Sequence, residues 1–353
     1  MKLTAMTQVM PTAIRRLDAE CYCIQMEHAW SPAHDSTGAT DALHDAVAAD
    51  YKAGVARVAI TPTHPMWMSG YASRSKPGVD KVHDLWAKAL AIEDGKGHRA
   101  VLVTLDLVGI DRDTSLAIRN DLKAKHNLAL SQIALCTSHT HTGPVVGDNL
   151  MSMYFLTPPH RKAVADYTGQ LKRDVVRIVG EAIKDMRPAR LSYGVGEATF
   201  AVNRRNNRES DVPRLRAEGQ LRGPVDHSVP VLRVTTGDDQ LRAIVFGYAC
   251  HATTLAFYQW SGDYLGYAQI ALEERHPGAT AMFVAGCGAD INPLPRRRLE
   301  LAQDYGRQLA DAVDKVLADA MQPVAGELTT RYTEIDLQFD TQPTEETMRG
   351  QAE

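Results

Sequence analysis

With 353 residues, 44% of them apolar and 23% charged, the chain has the composition of an ordinary globular protein of one large domain or two smaller ones. Collagen, a coiled coil and a wholly disordered chain are excluded. A formal charge of −4 supplies no basic field, which argues against nucleic acid as the main partner, and no apolar run nears the roughly 20 residues that span a bilayer.

Residues 1–50 mix Asp, His, Ser, Thr and Ala without a period. Residues 1–52 are therefore predicted to be a poorly structured extension and residues 53–353 the folded domain. Arg15 and Arg16 are not followed by a continuous apolar segment and a small-residue cleavage site, so no secretory signal is read. Five cysteines are too few, and odd in number, for a disulfide framework in a chain this long; most are expected to be reduced core residues.

Val55 to Ile60 reads as the first strand of the domain and Trp86 to Ile92 as the second, ended by the Asp94-Gly95 turn. Ala100 to Val108 is a nearly continuous apolar run suited to a strand buried on both faces, with Asp106 its exception. A helix is predicted over 113–126 with Asp or Thr as its N-cap, then a buried strand over 133–137. The clearest helix runs over 159–186. Val164, Tyr167, Leu171, Val175, Ile178, Val179, Ala182 and Met186 recur every three or four residues between Pro158-Pro159 and Arg187-Pro188. Strands follow over 189–199, 229–236, 241–251 and 279–285, helices over 264–275 and 297–321, and a last strand over 328–339. Strands both grouped and alternating with helices predict an α/β fold, a mixed β-sheet covered by helices with its site at strand C-terminal ends. Residues 203–223 carry six arginines against three acids. They read as a solvated loop, or as one lending an anion-binding arginine to a neighbouring site.

Chemistry concentrates where strands end. Ser138-His139-Thr140-His141-Thr142-Gly143-Pro144 follows the strand at 133–137, and histidines at i and i+2 on an extended backbone turn to one side. Neutral imidazole is a favoured zinc donor, and ligands collect at strand ends of open α/β sheets. His251 ends another apolar strand. Asp263, in Ser261-Gly262-Asp263-Tyr264, is placed either to cap the next helix or to orient a metal-bound histidine. A third strand runs into Gly286-Cys287-Gly288-Ala289-Asp290-Ile291-Asn292-Pro293, whose glycines let backbone approach a ligand and whose Asp290 adds a carboxylate. The sequence has no GxSxG elbow, Walker A loop, dinucleotide glycine loop or HEXXH helix.

From about Gly54 to about Ala320 these landmarks resemble the amidase domain of the neutral/alkaline non-lysosomal ceramidase family. They are the 138–144 loop, Asn203-Arg204, Cys250-His251-Ala252-Thr253, Gly262-Asp263-Tyr264 and the 288–293 loop. The resemblance implies a zinc-dependent hydrolase that cleaves the amide of ceramide to sphingosine and fatty acid. It also implies contact with a membrane surface and a secreted or membrane-associated location. It makes His139 and His251 zinc ligands, sets His141 beside the metal to polarise substrate or move protons, and brings Arg204 close to the reacting amide. In that family the amidase domain continues and supplies an acidic ligand and a tyrosine to the zinc, so the domain is expected to be incomplete at its C-terminal end.

Two departures stand out. Asn292 occupies the place of a serine implicated in catalysis; asparagine donates and accepts hydrogen bonds but is no nucleophile. Val145-Val146 replaces the usual glycines and is expected to narrow or stiffen the site mouth. Two alternatives to a ceramidase-like hydrolase stay open. One is a catalytically silent member that binds a lipid or a partner; the other is a metal-dependent hydrolase of a different amide or ester.

Overall fold

The computed structural model describes residues 2–5, 51–336, 344 and 349–350. Most of the predicted extension thus lies outside the described residues, as do Cys21 and Cys23. In chain order the elements are β1 (Lys2–Ala5), β2 (Tyr51–Ala59), β3 (Asp80–Lys81), β4 (Trp86–Asp94), β5 (Arg99–Leu105), α1 (Arg112–His126), β6 (Ile133–Thr137), α2 (Pro158–Lys184), β7 (Arg187–Glu197), β8 (Ala201–Asn203), α3 (Val212–Ala217), β9 (Ser228–Thr236), β10 (Leu241–Tyr248), β11 (Gln259–Trp260), α4 (Asp263–Arg275), β12 (Thr280–Ala285), β13 (Ile291–Pro293), α5 (Leu299–Ala318), β14 (Gln322–Val324) and β15 (Thr333–Asp336).

The long elements start and stop for local reasons. Asp111 accepts the Thr114 N–H to cap α1, and Asn127 ends that helix at φ 53. Prolines open α2, whose buried face carries Val164, Leu171, Val175, Ile178, Val179 and Ala182, as the spacing predicts. The last strand is shorter than expected: among the described residues it covers only Thr333–Asp336, paired with β1. The strands β3, β8, β11, β13 and β14 and the short helix α3 have too few residues to show a period, and the sequence reading missed them.

Nine strands form the main sheet, in the order β12-β10-β9-β7-β2-β4-β5-β6, with β14 added to β7. The pairs β5/β6 and β10/β12 are parallel and the others antiparallel, so the sheet is mixed. Helix α2 covers β2 and β4, while α4 and α5 pack together and lie on β12, β7 and β9. Alternation along β4 separates two environments. Ala87, Ala89 and Ala91 belong to the core shared with α2. Leu90 instead joins Tyr51, Ala53, Ala189, Leu191, Val234, Ala243, Val245 and Met282, a cluster drawn from six strands of this one sheet.

Side chains from so many strands meet only if the sheet curls until one face packs on itself. It does: β12, at one end of the order, lies against β5 and β6 at the other. A twist of about 20–25° per neighbouring pair, accumulated across the sheet, also swings β6 round relative to β10. Just beyond these two strands Thr140 and Ala252 pair in parallel. The site predicted at strand C-terminal ends therefore sits on a seam between the two ends of the sheet.

Candidate metal centre

His139 departs from the extended reading. Strand β6 stops at Thr137, the Ser138 N–H donates to the Leu105 carbonyl at 2.9 Å, and His139 then adopts φ 61 in the left-handed region. A turn, not strand alternation, brings its imidazole towards that of His141. The Thr140–Ala252 bridge and the His141 N–H to Ala252 carbonyl bond, at 3.2 Å, then carry this loop to the end of β10. His251 waits there. Ring centroids lie 4.9 Å apart for His139 and His141, 4.8 Å for His139 and His251, and 5.7 Å for His141 and His251. One nitrogen from each ring falls within 4.8 Å of the others, and among the described residues this is the one such His/Cys/Asp/Glu group.

Hydrogen bonding aims the rings. His139 Nδ1 lies 2.8 Å from the Val108 carbonyl, and His251 Nδ1 lies 2.6 Å from that of Gly288 and 3.2 Å from that of Ile291. Carbonyls only accept, so each Nδ1 keeps its proton and each Nε2 presents a lone pair, the arrangement by which second partners orient metal-bound imidazoles. Both nitrogens of His141 are buried without a hydrogen-bond partner. A buried polar atom in that state costs roughly 1–3 kcal/mol, which ligation would relieve. Burial pushes the pKa of all three below the usual imidazole range, His251 to about 4 and His141 well down. Arg204 lowers His139 and His251 further, and Arg74 lowers His141. Near pH 7 all three are neutral, the form that binds metal. This donor set fits a zinc ion.

His83, buried against α4, is also pushed down to about 4 by burial, and its Nε2 accepts the Gly262 N–H at 2.8 Å. The unfolded chain takes up protons at about 6.5 that folded His83 and His251 refuse until about 4. Metal-free protein is therefore expected to keep its stability above pH 6.5 and to lose it steadily as pH falls from there towards 4. Urea midpoints on the two sides of that window measure this, and equal midpoints would refute it.

The remaining surroundings are mostly backbone held in place. Buried Arg74 donates to the carbonyls of Ser69 at 2.7 Å, His141 at 2.8 Å and Phe257 at 3.0 Å. The Tyr71 ring lies 4.9 Å from that of His141, and its hydroxyl donates to the Leu255 carbonyl at 3.1 Å. Gly70, at φ +95, lies so close that a Cβ there would stand 2.6 Å from the His141 ring. Thr140 and Thr142 both donate to the Ser261 carbonyl at 2.7 Å, tying the histidine loop to the start of α4.

Arg204 makes its charge felt at His139 and His251. Its N–H donates to the Asp290 carbonyl and its Nη2 to the Ala289 carbonyl, each at 2.8 Å, in the loop whose Gly288 holds His251. Asn292 is buried, paired opposite Val202 in the β8/β13 ladder, and its Oδ1 accepts from Thr253 Oγ1 at 3.4 Å. Asp290 accepts from Asn203 Nδ2 at 2.8 Å. Asp263 is fully buried at φ 58, and its carboxylate accepts the backbone N–H groups of Thr254, Leu255 and Tyr264. It anchors the segment after His251 and hydrogen-bonds no imidazole. Gly262, not Asp263, is the N-cap of α4. Val145 and Val146 lie in the core with Trp67 rather than at a mouth. Cys136 and Cys250 are free and buried, as expected, whereas Cys287 is disulfide-bonded.

Fold and site together define a mixed α/β protein with a three-histidine candidate metal centre at strand ends. Residues 51–292 match the family description "Neutral/alkaline non-lysosomal ceramidase, N-terminal", and the chain belongs to that family. It is 27% identical over 310 residues to the neutral ceramidase of Pseudomonas aeruginosa, covering 81% of this chain and 45% of the relative. It is 24% identical over 263 residues to that of Drosophila melanogaster, covering 70% of this chain and 36% of the relative. The crystal structure of the Pseudomonas aeruginosa enzyme shares the fold at a TM-score of 0.65 and 24% identity, over 79% of this chain and 46% of that one. A ceramidase complexed with C2 gives the same TM-score of 0.65 at 23% identity, over 79% of this chain and 45% of that one. The chain thus spans less than half the length of these relatives.

Proposed function

We propose that the protein is a zinc-dependent amidohydrolase that cleaves an N-acylated lipid, with ceramide as the reference substrate. The observation that carries this reading is the pair of imidazoles with carbonyl-held Nδ1 and presented Nε2, joined by partnerless His141, on the family's own motifs. His139, His141 and His251 would hold the metal. Bound there, a zinc ion supplies Lewis acidity and a hydrolytic nucleophile near neutral pH. Holding the metal takes the one lone pair of a neutral His141, so in this reading its role is a ligand's and replaces the proton-moving one.

The chain's own groups supply the rest. Arg204 is held at the 289–290 loop through its backbone N–H and its Nη2, and in this reading its positive charge orients the amide carbonyl and stabilises negative charge developing on its oxygen. Asn292 hydrogen-bonds but cannot attack, so the proposed cleavage draws no nucleophile from that position. Asp263 keeps the 251–255 segment in place through its backbone bonds. The lipid class of the substrate is supported by the ceramidase relatives, and it brings with it contact with a membrane surface and a secreted or membrane-associated setting.

Zinc-loaded protein is expected to release amine from a fluorogenic N-acyl sphingosine, to stop when zinc is chelated and to recover when zinc returns. Absence of turnover across N-acyl sphingosine, simple N-acyl amines and esters would sink the reading in favour of a silent lipid-binding member. Arg204→Gln is expected to lower kcat by about 10²–10³-fold with zinc content unchanged, as loss of one charge-stabilising donor does. Metal analysis alongside steady-state kinetics checks both halves.

A further inference from the structure

A buried polar network spans the seam without touching an imidazole. Lys88 lies on β4 in phase with Leu90, so it enters the concave face of the curled sheet, and it is only 2% exposed. Its ammonium donates to Gln269 Oε1 at 2.9 Å, Glu273 Oε1 at 2.8 Å and the Ala281 carbonyl at 2.7 Å. All three of its protons are placed, the condition under which a buried ammonium is tolerated. Gln269 relays the contact, its Nε2 donating to Asp106 Oδ1 at 3.3 Å, while Asp106 Oδ2 accepts the Trp86 N–H at 2.9 Å. The network thereby absorbs Asp106, the carboxylate that is the exception in the apolar run over 100–108 and that lies just past the end of β5.

The partners sit on the two carriers of the histidines. Ala281 belongs to β12 and pairs with Ile244 of β10, the strand that leads to His251. Asp106 follows Leu105, whose carbonyl accepts the N–H of Ser138, the residue before His139. Gln269 and Glu273 come from α4, whose first turn holds the 254–255 segment through Asp263. Apolar side chains could fill this space, but only fixed donor and acceptor geometry specifies a distance between the strands.

We propose that Lys88, through Glu273, Gln269 and Asp106, is a positioning residue that sets the spacing of the two sheet ends and hence the metal-binding geometry of His139, His141 and His251. The proposal rests on the reading of these histidines as a metal centre, and its test separates the two. In Lys88→Met the circular dichroism spectrum is expected to stay unchanged while the zinc Kd, measured by chelator competition, rises roughly 10–100-fold, the scale for groups that orient ligands. Hydrogen exchange at the His141 amide, which bonds the Ala252 carbonyl across the seam, is expected to quicken about 10-fold. A lowered melting temperature with unchanged zinc Kd and unchanged exchange would make Lys88 merely structural and overturn the proposal. Should Lys88→Met fail to fold, Gln269→Leu cuts the link to Asp106 and leaves the Lys88–Glu273 pair. It is expected to shift both readouts the same way, and wild-type values would overturn the proposal. If the wild-type chain binds no zinc, the metal reading falls, and exchange at the His141 amide alone decides for or against the clasp.

Discussion

Replacing His251 with alanine is expected to remove zinc and hydrolysis together, taking bound metal from about one per chain to none and kcat/KM down by about 10³-fold or more. Of the three imidazoles His251 alone comes from the β10 side of the seam, so its loss leaves two nitrogens on a single loop. Catalytic zinc sites hold three protein ligands, and two do not compete with the solvent and chelators of an ordinary assay. His139→Ala should do the same from the other side. The readout is metal by mass spectrometry beside amine release, with circular dichroism to show that the fold survives. A variant that keeps a full equivalent of zinc would dismiss the three-histidine centre.

Gly288→Ala is expected to act on the same metal without touching a ligand atom. A Cβ on Gly288 would stand 2.8 Å from the Cys250 nitrogen and 2.9 Å from its Cα and carbonyl carbon, all backbone and unable to step aside cheaply. The strand junction must move, and with it the Gly288 carbonyl that holds His251 Nδ1 at 2.6 Å. Zinc affinity should fall roughly 10–100-fold, as when an orienting partner is lost. Gly237→Ala is the control, since a Cβ there meets nothing within 4 Å. Equal zinc affinity in Gly288→Ala and wild type would mean that the carbonyl contact does not orient the ring.

What could be read beforehand follows from what a sequence encodes locally. The spacing from Val164 to Ala182 announces α2, and the apolar run before Asp106 announces a buried strand, because burial leaves a period or a run. His139, His141 and His251 could be picked out because they follow such strands. Their meeting was implied by the family resemblance and not by any local pattern, because it depends on curling that joins strands at opposite ends of the sheet. The left-handed His139 was equally invisible, since no glycine or asparagine marks the turn. The groups that aim the rings are carbonyls of Val108, Gly288 and Ile291, which every residue type carries. Tyr71 and Arg74 lie in a stretch with no period, so nothing pointed to them. Asp263 illustrates the converse: a carboxylate suited to a histidine is occupied by three backbone amides.

The seam also has a meaning in time. Most of the sheet is assembled by pairings between neighbours in sequence, such as β4 with β5 and β9 with β10. The Thr140–Ala252 bridge joins residues more than a hundred positions apart, so its loop-closure entropy is met only once the intervening strands are in place. The three imidazoles therefore come together only when the sheet curls, in the same closure that completes the cluster of Tyr51, Leu90 and Met282. A cation added during refolding would find no site on the early chain and a nearly finished one at the end, acting as a latch that slows unfolding rather than as a template that speeds folding.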